Sequence, residues 1–541
     1  MSVVMGTLAV RSRIEARPEG GFERLYDPLV DDLVHDGPLA RSRFAVRWSD
    51  ERALRDLAET KRQALPRELA AEMADYHRRL GASPASMASL ERLARGEAVC
   101  TVSGQQPAPL GGPLYSLHKI ASSVGLSTAV SDRTRVPCVP LFWMHGEDSD
   151  FAEIRTATIA DASLTLHELD LAADAHREGQ LVGTIALEPL LGLQREALER
   201  WLGLPGVGEC RALLERGMAQ ARDLGEASSA LVLALFGEQG VVVVEPRLAA
   251  FRAAARPVLA RYFERAEALA AAARRAGDTL EAAIGRRPLT GPALESFVFA
   301  IEDGARRKVT PAEARALGAD TALSPSVALR PVLQDAVFPT VAMACGPGEV
   351  SYLAQLREVY EGLDVRPACA VPRLSATWLP TAAAGLIEAS GASAWEVIAG
   401  TDAVLRRVAG QGVPPEVSAA LERARAAAGE GLTTFAETTR QVDASLPQMV
   451  ESARGKVDYQ FARLEEGLLA KVRHRLERQH PEWLRLRYYL MPGDRLQERR
   501  IASLEIVARR GPGVVGELCE LAAEHARRLA GGTLEHLVLD L

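Results

Sequence analysis

Two segments in which an apolar run ends in a glycine-bearing loop, passes into a helix and returns as a second apolar run restrict this chain more than any other feature. The first starts at "AVCTVS" (98–103), continues through "GQQPAPLGGP" into a helical pattern from about Pro113 to Ala129, and returns as "VPCVPLFWM" (136–144), which ends in "HGEDSDF". Strand, glycine loop, helix, strand is a βαβ unit, with parallel strands and a right-handed crossover. Both loops then leave the carboxyl ends of neighbouring strands, where open α/β sheets bind ligands. A second such unit runs through "FPTVAMA" (338–344), "CGPGE", "EVSYLAQLREVYEGL" and "VRPACAVP", and "GVVVVEP" (240–246) reads as a further buried strand. Two units separated by insertions predict an α/β doubly wound sheet with embedded helical subdomains.

Around this core the texture is helical. Residues 50–95 place Leu and Ala at three- and four-residue spacing, residues 248–285 are Ala/Arg-rich, and "TPAE" (310–313) is a capping box with proline at the first helical position. Beyond about residue 376 strands largely vanish. A stripe of Val450, Ala453, Val457, Phe461, Leu464, Leu468, Val472 and Leu476 advances in steps of 3, 4, 4, 3, 4, 4 and 4, closer to an eleven-residue repeat than to a heptad. Pro447 belongs in the first turn of that helix, which reaches Gln479 as a rod of about 50 Å. Its stripe must be buried by the preceding helix (about 415–442) or by a second chain. The expected division is 1–97, an N-terminal helical part of the core; 98–375, the core with helical insertions; 376–490, a helical coiled coil; and 491–541, a C-terminal helical segment packing back on the core, entered through "LMPGDRLQERR".

Composition serves mainly to exclude. A net charge of −7 over 541 residues provides no basic field for nucleic acid or an anionic membrane. Six scattered cysteines without a Cys-x-x-Cys pair argue against a disulfide framework or a thiolate zinc site and suit a reducing cytoplasm. The N-terminus lacks a basic region leading into an apolar core, so no signal peptide is expected, and no apolar run reaches the roughly 20 residues that span a bilayer.

The chemistry-bearing residues sit at the strand tips. Gly104, Gly111 and Gly112 would let a backbone approach a ligand, and the helix opening at Pro113 offers amides to an anion. Gln105 and Gln106 can read hydroxyl and carboxylate groups without imposing charge. His145, Glu147, Asp148 and Asp150 end a buried strand; they could bind an ammonium group, hold Mg²⁺ through water, or accept a proton from an amine. In the loop of Gly346 and Gly348, Pro347 removes an amide and Glu349 already offers charge to the helix terminus, so a polar or cationic group is expected there and not a phosphate. Tyr352 and Arg330 are second contacts, Arg330 either pairing with carboxylates of a ligand or forming a structural ion pair. Cys345 reads as a small buried residue, with no base beside it.

"SGQQPAPLGGPLYSLHK", "PLFWMHGEDSDFAEI", "LSPSVALRPVLQD", "FPTVAMACGPGEVSYLAQLREVY" and "LQERR", in that order, resemble the cysteine-adding enzymes of bacillithiol biosynthesis, the BshC family. The departures are Ala108, Pro109 and Leu110 after the glutamines, Cys345 in place of a usual glycine, and Ser326 in place of a usual asparagine. The resemblance implies a Rossmann-like core related to nucleotidyltransferases and class I tRNA synthetases, inserted helical connecting-peptide regions and a C-terminal coiled coil that makes a homodimer. It further implies a cytoplasmic ligase that joins the carboxyl group of cysteine to the amine of glucosaminyl-malate. His118 would stabilise the phosphate of an activated carboxylate, with Lys119 beside it. Glu147 or Asp148 would act as base, and Ser103 and Tyr115 would join the binding set. The activating nucleotide, ATP or another, is implied by the fold relationship alone, and no dedicated metal site is expected because Mg²⁺ in such folds usually borrows phosphate ligands. Two other functions fit the same fold: nucleotidyl transfer onto another small molecule, and a coiled-coil dimer that binds a nucleotide or metabolite without catalysis.

Overall fold

Val99–Gln105 is buried along its length until its last residue, as expected of a central strand covered on both faces. The computed structural model describes residues 8–15, 26–317, 321–389, 391–443, 445–479 and 481–541. The strand is β1 of a five-stranded parallel sheet completed by β2 (Cys138–Met144), β3 (Val242–Val244), β4 (Thr340–Cys345) and β5 (Cys369–Pro372). Their order across the sheet is β5-β4-β1-β2-β3. The chain therefore winds outward from β1 in one direction, then returns to β1's other side, which makes the sheet doubly wound and puts the switch point between β1 and β4.

The helix Leu114–Thr134 makes the β1–β2 crossover and packs against β1, β2, β4 and the helix Val514–Ala530. Gly125 permits that last contact, since a Cβ there would lie 2.4 Å from the backbone carbon of Ala522. Alanine normally stabilises a helix interior by up to about 1 kcal/mol over glycine. Here the clash is with backbone, so Gly125→Ala should instead cost roughly 1–3 kcal/mol, read as a lower denaturation midpoint at unchanged m-value.

Two features depart from the helical expectation. The insertion between β3 and β4 contains the long helix Ala249–Ile284, but also an antiparallel sheet of Val298–Glu302 flanked by Ala305–Lys308 and Ala322–Pro325. Asp303 and Gly304, both at positive φ, make the tight turn of its hairpin. The chain's last segment, Glu535–Asp540, is likewise a strand, paired antiparallel with Val10–Glu15 in a small sheet that includes Ser375–Leu379. The partners of that pairing lie more than 500 residues apart, so neither end advertises it locally. In the other insertion, between β2 and β3, a hairpin of Thr156–Ala160 and Leu166–Asp170 precedes three helices, Glu188–Arg200, Val207–Ala219 and Leu224–Phe236.

The described residues up to Trp378 form one compact unit with Arg495–Leu541, and Leu379–Asp494 form a second. Beyond Leu379, which ends a strand, the described residues of the second unit form helices and the turns between them. Pro415–Thr439 and Leu446–Gln479 pack as an antiparallel hairpin, with Arg454 donating to the Gly429 carbonyl at 3.2 Å. Pro447 is the second residue of the longer helix. Along the stripe Val450 and Val472 are buried, Val457, Phe461 and Leu468 half-buried, and Ala453 and Leu464 exposed, while the Leu476 side chain lies outside the described residues. Val472 packs against Ala409 and Val413, so the helix Ala394–Gln411 covers one end of the stripe beside the preceding helix, and Ala453 and Leu464 stay uncovered.

Candidate active site

The loops after β1, β2 and β4 open into one cavity of about 790 Å³, a volume suited to small-molecule ligands. Gln105, Gln106, Tyr115 and Lys119 contribute from the first βαβ unit, and His145, Glu147 and Asp148 from the turn after β2. Arg330, Gly346, Gly348, Glu349 and Tyr352 close the other side. Lys119 stitches the switch point together. Its ammonium donates to the Gly104 carbonyl at 3.0 Å and to Gln105 Oε1 at 3.1 Å, and it pairs with Glu349 at 2.9 Å. Three acceptors use all three of its hydrogens, so Lys119 fixes the architecture and is not a free cation.

Other expected ligand contacts lie elsewhere. Leu110, Gly111 and Gly112 are three successive residues at positive φ, the last two at +80° and +70°, which explains the glycine pair. They face the returning C-terminal segment, however, where a Cβ on Gly111 would meet Ser503 at 3.2 Å. Leu114 N–H donates to the Ile501 carbonyl at 2.8 Å and Ser503 N–H to the Gly112 carbonyl at 2.7 Å, so this helix terminus is covered and not an anion seat. Gly104 lacks a side chain for a different reason, since a Cβ there would stand 2.7 Å from His145 Nε2. Ser103 is wholly buried within β1, and Asp150 caps the short helix Phe151–Ile154; neither lines the cavity. At the second loop Glu349 accepts from Gly346 N–H at 2.7 Å and places its negative charge at that helix terminus.

His118 points away from the cavity into a buried polar network. Trp378 Nε1, which can only donate, reaches His118 Nε2 at 3.1 Å, so the imidazole proton sits on Nδ1 and goes to Glu498 Oε2 at 3.0 Å. Burial depresses the His118 pKa and keeps the ring neutral, with Glu498 opposing. Glu498 also takes a bidentate pair from Arg373 at 2.7 and 3.0 Å and a hydrogen bond from Ser375 Oγ at 3.1 Å. Against the upward push of burial, Arg373 and then His118 hold the Glu498 carboxyl well below the usual range. His118 therefore lies outside the cavity lining with both ring nitrogens engaged.

The cavity's charges are mostly matched. Glu147 is buried and pairs with Arg252 at 2.6 Å; burial raises its carboxyl pKa, with Arg252 opposing. Asp148 pairs with Arg306 at 3.1 Å, Lys308 with Glu295 at 2.6 Å and Arg373 with Glu498. Arg330 differs. It is only 8% exposed, yet among the described residues its guanidinium has no carboxylate partner; it donates to Tyr352 Oη at 2.6 Å and to Gln334 Oε1 at 3.5 Å. Of the sequence alternatives for Arg330, no structural ion pair forms among the described residues. Gln106, 6% exposed, likewise has both amide atoms unpartnered and faces the same space. Burial, with Arg330, Lys119 and Arg306, pushes the His145 pKa well below its ordinary value, and Cys345 is a buried thiol whose pKa burial raises.

Sequence reasoning missed Glu153, Arg306, Arg373 and Arg499 as lining residues. Glu153 and Arg499 lie in the family-like segments 140–154 and 496–500, whereas Arg306 and Arg373 acquire their place only through partners distant in sequence. Among the described residues no group of three His, Cys, Asp or Glu side chains is placed to hold a metal ion. With one helix terminus at the strand tips covered by the C-terminal segment and the other carrying the Glu349 carboxylate, a nucleotide phosphate would meet side-chain cations, and Arg330 and Arg499 are the lining cations without a carboxylate partner among the described residues.

Residues 21–317 and 313–374 match the family described as "Bacillithiol biosynthesis BshC, N-terminal Rossmann-like domain", and residues 376–529 match its "C-terminal coiled-coil domain". Similar curated proteins include one from Koribacter versatilis, 28% identical over 91% of this chain and 94% of its own. Another, from Geobacillus kaustophilus, is 29% identical over 87% and 91% respectively; both are named "Putative cysteine ligase BshC".

Proposed function

The chain belongs to the BshC family of bacillithiol biosynthesis, and on that premise we propose that it is a cysteine ligase acting on glucosaminyl-malate, forming an amide between the cysteine carboxyl and the sugar amine. The observation that carries this reading is the single cavity at the switch point, where the glutamine loop, the acidic turn and the Gly346–Glu349 loop meet. An amide does not form spontaneously from a carboxylate in water, so the carboxyl group must first be activated. A nucleoside triphosphate would supply the phosphoryl or adenylyl group, its phosphates held by Arg330 or Arg499, and Mg²⁺ would enter with those phosphates. The remaining guanidinium suits a malate carboxylate, and Gln106, with donor and acceptor both free, suits sugar hydroxyls. The deciding experiment incubates purified protein with cysteine and glucosaminyl-malate, with and without ATP, and follows the new thiol by mass. Failure to form it in any condition, cell extract included, overturns the reading.

The same proposal includes a homodimer through the helical hairpin of Pro415–Thr439 and Leu446–Gln479. Phe435, Met449, Tyr459 and Leu464 are between 56% and 62% exposed on the two hairpin helices, a large apolar surface to leave in water. Phe435→Glu with Leu464→Glu should give a monomer by light scattering while leaving the helical circular dichroism intact. An unchanged dimer would place the interface elsewhere.

A further inference from the structure

We propose that Glu153 is the general base that takes the proton from the attacking amine. The assignment rests on the amide-forming reading above. Four carboxylates line the cavity, and three are committed: Glu147 to Arg252, Asp148 to Arg306, and Glu349 to Lys119 and the Gly346 amide. Glu153 alone among them forms no ion pair among the described residues. Its contacts are neutral donors, Gln105 Nε2 at 3.2 Å and Tyr115 Oη at 3.4 Å, and both fall on Oε1. Oε2 has no hydrogen-bond partner among the described residues and is left to the ligand.

The surroundings hold Glu153 for this task. Lys119 donates to Gln105 Oε1, which turns the amide so that its NH₂ faces Glu153. Tyr115 Oη accepts from the same NH₂ at 3.0 Å and donates onward. The charged and titratable groups around the carboxyl are Asp148 and Asp150 on its own turn, and Tyr115 and Lys119 from the facing helix. Partial desolvation at the cavity wall, then Asp148 and Asp150, raises the Glu153 pKa above the ordinary glutamate value against the opposing Gln105 hydrogen bond and Lys119, the direction that improves a base working near neutrality.

In the step, the lone pair of the neutral amine forms the C–N bond at the acyl carbon of a cysteinyl–phosphate mixed anhydride, made beforehand at the expense of the nucleoside triphosphate. The C–O bond to phosphate breaks, the phosphate leaves with the electron pair, and the proton from nitrogen passes to Glu153 Oε2 and then to water.

The test compares wild type, Glu153→Gln and Glu153→Asp in thiol formation from cysteine, glucosaminyl-malate and ATP across pH. Glu153 is open to solvent, so both variants should fold. Wild-type kcat should fall as pH drops through the raised carboxyl pKa. Glu153→Gln should lower kcat roughly a hundred- to ten-thousand-fold, change KM for the amine less than about threefold, and remove that acid limb; Glu153→Asp should recover part of kcat with the limb restored. A Glu153→Gln enzyme with near-wild-type kcat and an intact limb overturns the assignment alone. A wild type that forms no thiol overturns the substrate reading and this assignment with it.

Discussion

Arg330→Met is expected to fold at least as stably as the wild type while losing its anionic substrate. A guanidinium that is 8% exposed and forms no ion pair among the described residues gives up hydration for two neutral partners, Tyr352 and Gln334. Desolvating an ion costs several kcal/mol unless the geometry compensates, and replacing a buried charge by an apolar side chain of similar volume is often neutral or stabilising. The cavity is what makes this charge tolerable, because a bound carboxylate or phosphate would supply the missing partner. Truncating one member of a buried charged contact with a ligand costs about 2–5 kcal/mol, or roughly 30- to several-thousand-fold in affinity. Calorimetric titration of glucosaminyl-malate and of ATP against the variant identifies which ligand carries the anion that Arg330 holds. A variant that melts earlier than wild type and binds both ligands normally would show that Arg330 is structural after all.

This opposition between stability and binding explains which parts of the site can be read from a sequence. The βαβ units are legible because parallel strands buried on both faces appear as unbroken apolar runs, and their tips are where polar residues interrupt them; Gln105, His145 and Gly346 stand out for that reason. Individual roles are not legible when they depend on a remote partner. The glycines at 111 and 112 and the helix terminus at Pro113 look like an anion seat until Ile501 and Ser503, nearly 390 residues on, are seen to cover them. Lys119 and His118 look catalytic until Glu349, Gly104, Trp378 and Glu498 are seen to use their polar atoms. The Asp303–Gly304 hairpin is the opposite case: a local turn signal stood in the sequence, and the helical texture around it obscured it.

Glu498→Ala should be strongly destabilising, and through it the meaning of "LQERR" becomes clear. The Glu498 carboxylate accepts from Arg373, His118, Ser375 and the Ala376 amide, all buried. Next to it, Gln497 exchanges two hydrogen bonds with the Trp378 backbone, at 2.7 and 2.9 Å. The segment that begins at Arg495 is therefore fastened to the strand Ser375–Leu379 and supplies the counter-charge for an arginine in the cavity wall. Removing one partner of a buried pair leaves an uncompensated ion and costs roughly 3–5 kcal/mol, a large share of the 5–15 kcal/mol that holds an ordinary domain together. Glu498→Gln keeps an acceptor for His118 but still strands Arg373, so it should fall between alanine and wild type. The decisive variant is double. With Arg373→Met added, no bare guanidinium remains, and the double variant should unfold at higher denaturant than Glu498→Ala alone, although His118 still lacks its acceptor. Additive losses in that cycle would mean that Arg373 and Glu498 are not energetically coupled, and that the buried pair does not hold the C-terminal segment to the core.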